Sequence, residues 1–207
     1  MKPVTILTTA PEPLPHEQAM AEAIAALEPD RTVQFEPGTM AVYTEDVDYC
    51  PLTLELANPE QFQLTPYLDV DVQRQLVQQQ WSIPSCGQGE LWLPVVLTAK
   101  GPLYAEAIQA KDGQYQQPYH LKDKQRQPLY RFAFQLLDHY QATPAVYLLA
   151  FTQQTDGFVF DRLLPFPNAG AIASIGIQEP DLFRCHWLCL QHQPILDVQI
   201  NGAQVRP

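Results

Sequence analysis

The densest run of side chains able to hold a metal or move a proton is Cys185-His186-Trp187-Leu188-Cys189-Leu190-Gln191-His192. On a helix, positions four and seven apart share a face, so Cys185, Cys189 and His192 converge while His186 points part of the way round. Thiolate and imidazole are the donors zinc prefers, and Cys50 or Cys86 is available as a fourth ligand. The spacing departs from the common two-residue gap between zinc cysteines. The same residues, with Leu182, also read as the apolar stripe of a buried helix, free cysteine being among the most buried residue types. No cofactor is expected, zinc at this group being the one exception.

Two Asp-x-Asp groups follow, Asp46-Val47-Asp48 with Glu45 before it, and Asp69-Val70-Asp71. Paired carboxylates hold hard cations beside phosphate, and Glu45, Asp46, Asp48, Asp69 and Asp71 together would also dock a basic protein surface. Helix capping accounts equally for the second group and a solvated turn for the first. Nucleophilic chemistry has little to work with. Ser82, Ser85 and Ser174 are the only serines, none lies in Gly-x-Ser-x-Gly, and Gly87-Gln88-Gly89 lacks the third glycine and the helix of a phosphate loop. Cys86 reads as an exposed thiol with no assignable activating histidine, and Asp138 and His139, adjacent on a helix, do not face each other. The basic stretch His120–Gln127 reads as a solvated loop.

The elements that must carry these residues are short and punctuated by 20 prolines in 207 residues, since each proline removes a backbone donor and restricts its predecessor. Strands are expected at Val4–Thr8, Thr32–Glu36, Met40–Thr44 and Leu52–Leu56, with a helix at His16–Leu27 where Met20, Ala23, Ile24 and Leu27 recur at helical spacing. A second helix starts near Asp69 and runs to about Trp81. Leu91–Leu97 is an apolar strand that Pro94 should kink or confine to an edge. Lys111-Asp112-Gly113 predicts a hairpin between Leu103–Ile108 and Gln114–His120. A third helix spans about Pro128–Gln141, Ala145–Phe151 is the central-strand candidate, and Asp156-Gly157 turns it into Phe158–Leu163. A strand at Ala171–Ile177, a helix at Pro180–Leu190 and a strand at Ile195–Ile200 before the turn Asn201-Gly202 complete the chain. Clustered strands separated by single helices predict one α+β domain over residues 1–207, with a largely antiparallel sheet, hairpins and three to four helices; residues 81–89 are the one internal boundary the composition suggests.

Charge narrows the function. The formal net charge is -11, and residues 1–103 carry 14 acidic and 4 basic side chains against 9 and 8 in the remainder. Free nucleic acid is a poor partner for such a chain, whose affinity would have to come from a basic footprint. The opening residues have no signal-peptide apolar stretch and nothing spans a membrane, so the expected compartment is the cytosol, where the cysteines stay reduced. With catalytic signatures missing, the sequence points to a non-catalytic accessory or assembly factor, binding a protein partner of basic surface through its acidic first half. The alternative is a metal-dependent, hydrolase-like enzyme built on Cys185, Cys189 and His192 or on the Asp-x-Asp pairs, and a third reading is a small-ligand carrier around the aromatic hairpins.

Overall fold

Val4-Thr5-Ile6-Leu7-Thr8 is rich in strand formers and buried at every position, as a strand covered on both faces must be. In the computed structural model, which describes residues 1–85, 87–155 and 157–201, it forms β1 (Val4–Thr8), the middle strand of a three-stranded parallel sheet. Cys86, Asp156 and Gly202, singled out above, lie outside the described residues. β2 (Val33–Pro37) and β3 (Asp48–Pro51) flank it, with Val4 opposite both Val33 and Asp48. Parallel neighbours need a crossover, and α1 (Pro15–Leu27) supplies the one between β1 and β2. Proline at its first position and the Glu17 carboxylate, which accepts from the Leu14 N–H at 2.6 Å, fix its start.

The strands expected at Met40–Thr44 and Leu52–Leu56 do not form. Met40 and Val42 are exposed and bury no face, whereas Asp48–Pro51 extends the β1 ladder through Asp48 N–H to Pro3 C=O and Leu52 N–H to Leu7 C=O, both at 3.0 Å. Two 3₁₀ turns, Pro59–Phe62 and Thr65–Tyr67, then lead into α2 (Val70–Trp81), which Asp69 caps by accepting from the N–H groups of Asp71 and Val72.

The next six strands build an antiparallel sheet: β4 (Leu91–Thr98), β5 (Gly101–Tyr104), β6 (Ala107–Lys111), β7 (Gln114–Tyr119), β8 (Ala145–Gln154) and β9 (Gly157–Leu164). Its order is β7-β6-β4-β8-β9, with β5 also on β4. Asp112 and Gly113 both have positive φ, as the two-residue turn between β6 and β7 requires. Pro94 does not put β4 at an edge. β4 is central, and the expected strand Leu103–Ile108 is instead divided: β5 pairs with Val95–Thr98 and β6 with Leu91–Trp92. The Pro94 carbonyl faces that side, accepting from Ala105 N–H, so its missing donor falls at the joint between β5 and β6.

α3 (Asp123–His139) joins β7 to β8 and starts a turn and a half before the expected Pro128, because the Gln125 side chain accepts from the Lys122 N–H and closes the first turn ahead of the proline. Most of the basic stretch is therefore helix. After β9 the expected strand Ala171–Ile177 is a 3₁₀ turn, Ala169–Ser174, which Asn168 caps through Gly170 N–H. β10 (Gln178–Glu179), α4 (Leu182–Leu190, capped by Asp181) and β11 (Gln199–Ile200) follow, and β10 pairs with β11 where a longer strand Ile195–Ile200 was expected.

Side-chain alternation along β8 divides the core. Val146 and Leu148 join β1, α1 and α4 in one cluster, while Tyr147, Leu149 and Phe151 join α3, Val77 of α2 and Leu163 of β9 in the other. Trp187 of α4 donates through Nε1 to Glu28 at the end of α1 at 2.7 Å, and Arg31 lies over the Trp187 ring while pairing with Glu28 and Asp48. Burial pushes the Glu28 carboxyl up, but Arg31 and Trp187 together hold it below the ordinary range.

On the opposite side of the sheet, Arg74 of α2 fastens the helix to β9 by pairing with Asp161, whose nearly buried carboxylate also accepts from the Gly89 N–H at 3.0 Å and lies 3.3 Å from Arg162 Nε. Arg74→Met strips that carboxylate of its shortest partner and should cost about 2–4 kcal/mol in urea denaturation, the cost of breaking a buried pair. The double variant Arg74→Met/Asp161→Leu should recover part of the loss. A single-variant loss below about 0.5 kcal/mol would show a pair already screened by water.

Candidate functional site

The residues singled out for chemistry are mostly occupied in building the fold. Cys185 and Cys189 are buried in α4, and the Cys185 thiol donates to the Pro180 carbonyl at 3.4 Å. Burial pushes both thiols up, Cys189 to about 12, and Cys50 in β3 likewise. His192 lies beyond the helix end, exposed and with φ of 54°. It shares with Cys189 and Lys100 the wall of a cavity of about 170 Å³, but among the described residues no group of three or more His, Cys, Asp or Glu could hold a metal ion. Asp69 is a helix cap, Asp71 pairs with Arg74, and Asp48 pairs with Arg31. Glu45 and Asp46 are exposed, and the Glu45 carbonyl accepts from Lys2.

A different place in the fold combines concavity with an unsatisfied polar group. Tyr49 of β3, Phe62 and Tyr67 of the 3₁₀ turns, Tyr140 at the end of α3, Tyr147 of β8 and His186 of α4 line a cavity of about 80 Å³ where the two sheets meet. The rings brace one another: Tyr67 meets Tyr140 edge-on at 5.3 Å and lies 6.0 Å from Tyr147, and Tyr49 meets Phe62 at 6.3 Å. α3 ends at this wall because Gln141 takes a left-handed conformation, turning the chain through Thr143 into β8. Tyr147 donates to the Thr143 carbonyl at 2.8 Å, so its hydroxyl is engaged. Burial raises the Tyr67 and Tyr147 phenols and brings Tyr140 to about 12, so all three keep their protons at neutral pH.

His186 is the exception. Only 2% exposed, it accepts the Val146 N–H at Nδ1 across 3.2 Å, which places its proton on Nε2. Among the described residues that buried Nε2 has no hydrogen-bond partner. Burial lowers the ring's pKa to about 3, so it is a neutral donor. Among the described residues no Lys, Arg, Asp or Glu lines the cavity. Chemically the described walls offer aromatic ring faces with uncharged polar residues, Gln63, Gln141 and Thr143, among them. Sequence reasoning missed it because its walls come from six elements spread between Tyr49 and Leu190; the one local signal was a histidine inside the apolar run of α4.

The fold, a small parallel sheet against a mostly antiparallel one, is similar to that of several solved structures over nearly the whole chain. The particular likenesses are to N5-carboxyaminoimidazole ribonucleotide synthetase from Thermotoga maritima (TM-score 0.70, 10% identity, 97% of this chain and 78% of that one), and to glycinamide-RNase-transformylase T from Mycobacterium tuberculosis (0.68, 13%, 94% and 80%). A third is to N5-carboxyaminoimidazole synthase from Aspergillus clavatus in complex with ADP and 5-aminoimadazole ribonucleotide (0.69, 9%, 94% and 78%). No protein-family model and no curated protein matches the chain. These structures correct the expectation of a non-catalytic accessory or assembly factor that binds a protein: the fold is shared with enzymes along nearly the whole chain. Among the described residues the Cys/His and Asp-x-Asp groups do not come together as a set of three or more ligands. No helix among the described residues is long and apolar enough to cross a membrane.

The neutral His186 has a pH signature. In the unfolded chain it takes a proton below the ordinary 6.5, and in the fold only near 3. Its contribution to stability is complete above pH 6.5 and is lost as pH falls toward 3, at up to about 1.4 kcal/mol per pH unit. His186→Gln should flatten the dependence of unfolding free energy on pH by that amount between pH 6 and 4 relative to the parent chain. Identical slopes would mean that the folded protein protonates this ring freely.

Proposed function

We propose that this chain is an ATP-dependent enzyme of the ATP-grasp type that acts on a small organic substrate. The observation that carries the reading is the fold likeness over 97% of the chain to a ribonucleotide synthetase. It is supported by two further structures of similar fold, one solved with ADP and 5-aminoimadazole ribonucleotide and one complexed with ATP. The warrant is one of shared architecture, since function resides in sites grafted on folds.

Phosphoryl transfer is achieved largely by positioning and by charge stabilisation, usually with a divalent cation bridging phosphate oxygens. The described residues of this chain do not fit such a cation. No group of three His, Cys, Asp or Glu is assembled, and the buried carboxylate of Asp161 is already shared by Arg74, Arg162 and the Gly89 N–H. No step is therefore routed through a protein-held metal.

Calorimetric titration of the purified chain with ATP, with and without Mg²⁺, tests the reading directly, together with an assay of ADP release in the presence of small amines and carboxylates. Saturable nucleotide binding tighter than about 1 mM, equivalent to about 4 kcal/mol, and substrate-stimulated ADP release are expected. Absence of ATP and ADP binding at that concentration under both conditions overturns it.

A further inference from the structure

We propose that the cavity between the β4–β5 turn and the end of α4 binds a small carboxylate with an apolar body, its two oxygens shared by the Lys100 ammonium and the His192 imidazole. The wall brings the turn at Thr98 and Lys100 together with Pro144, just ahead of β8, and with the chain from Cys189 to Ile195, around a volume of about 170 Å³. Lys100 and His192 are the only basic side chains among the described lining residues, and no Asp or Glu is among them. Both residues are exposed, and among the described residues neither side chain makes a hydrogen bond or an ion pair. The ammonium rides on a flexible four-carbon stem, and the imidazole donates an N–H in either charge state.

The donors that remain free decide the class. Lys100 N–H is spent on the Thr98 hydroxyl at 3.1 Å, His192 N–H on the Cys189 carbonyl at 3.0 Å and Gln193 N–H on the Leu188 carbonyl at 2.8 Å, while the Thr98 hydroxyl donates to Gly101 C=O at 2.8 Å. A phosphate, which is held by a cradle of such backbone N–H groups, finds these three already taken. Two side-chain donors match the two oxygens of one carboxylate instead. The same bonds cap α4, so the Leu188 and Cys189 carbonyls do not face the ligand as an unpaired negative end. Cys189 adds no charge, because burial pushes its thiol up to about 12. Pro144, Cys189, Pro194 and Ile195 make the rest of the wall apolar, so an acid with a hydrocarbon body gains burial there that a bare hydrated anion does not. About 170 Å³ lies below the roughly 300–1,000 Å³ of sites for drug-sized ligands and suits one ring or a short chain. The net charge of -11 opposes anions only at long range, since physiological salt screens exposed charges beyond about 8 Å. Nothing in this inference requires nucleotide binding, and its test contains no nucleotide, so the two readings fail separately.

The probes are benzoate, its uncharged counterpart benzamide, and inorganic phosphate. Each is titrated into the full chain carrying ¹⁵N-histidine at constant pH and ionic strength while the imidazole signals are followed by NMR. We expect benzoate to move the His192 signals saturably with a Kd of about 1 mM or tighter, and benzamide and phosphate to bind more weakly by about fivefold or more. Lys100→Gln should weaken benzoate by about fivefold, the upper end of what an exposed ion pair contributes. Lys100 is exposed, so that variant should keep the parent's melting transition. Lys111→Gln makes the same charge change at an exposed lysine outside the cavity wall and should leave the affinity unchanged. The proposal is overturned if benzoate leaves the His192 signals unmoved up to about 20 mM, if benzamide or phosphate binds as tightly as benzoate, or if Lys100→Gln binds like the parent.

Discussion

Over Ala145–Phe151 β8 has no face toward water, and most of the architecture follows from covering it. Ala145 through Phe151 are all buried, with successive side chains sent to opposite cores. Each fully buried Val, Leu or Phe in such a strand contributes about 1.5–3 kcal/mol, which is realised only if both faces are sealed. One face is closed by α3 and, further along β9, by α2. The other is closed by α4, which in turn needs α1 and the parallel sheet behind it. The small sheet is therefore a third layer, packed on a helix that is itself buried almost all round. The cavity lies where these layers meet, and its histidine serves two of them at once: Nδ1 completes the hydrogen bonding at the start of β8 while the ring is rooted in α4.

The acidic first half is less uniform than its charge implies. Of its four basic side chains, both arginines are used at joints: Arg31 ties the end of α1 to β3 and to Trp187 of α4, and Arg74 ties α2 to β9. Their partners Glu28, Asp48 and Asp161 are thereby neutralised where α1, α2 and the sheets come together. What remains acidic toward solvent, such as Glu45, Asp46 and Asp69, lies in turns and at a helix start, where a carboxylate satisfies backbone donors or simply stays hydrated. Of the carboxylates that the sequence sets in pairs, Asp48 and Asp71 are thus engaged by arginines and Asp69 by backbone donors of its own helix.

Local signals were legible and long-range pairings were not. α1, α2, α4 and β8 sit close to where apolar period and capping residues put them, and Asp112-Gly113 makes the turn its type demands. Asp48–Pro51 was invisible as a strand because nothing in those four residues reveals the parallel ladder with β1, more than forty residues earlier, that holds them. Ala171–Ile177 has strand-like residues, but Asn168 offers its backbone a local cap and the tight fit of Gly170 against Tyr115 favours the 3₁₀ turn. The cavity escaped for the same reason as β3. His186 was noticed for its neighbours Cys185 and Cys189, whereas it shares a cavity wall with Tyr67, Tyr140 and Tyr147, which no spacing rule connects to it.

Pro94 has a further effect on how the sheet can be assembled. A slip of β4 by one residue would turn its apolar side chains toward the wrong cores, as in any half-sided strand. A slip by two residues keeps the faces right and is the error that alternation alone does not prevent. Here it would slide the missing donor away from the gap between β5 and β6 and set it against a carbonyl that needs one, forfeiting a bond in the middle of the sheet. The proline works as an alignment key, and the break in the neighbouring strand is the slot into which it fits.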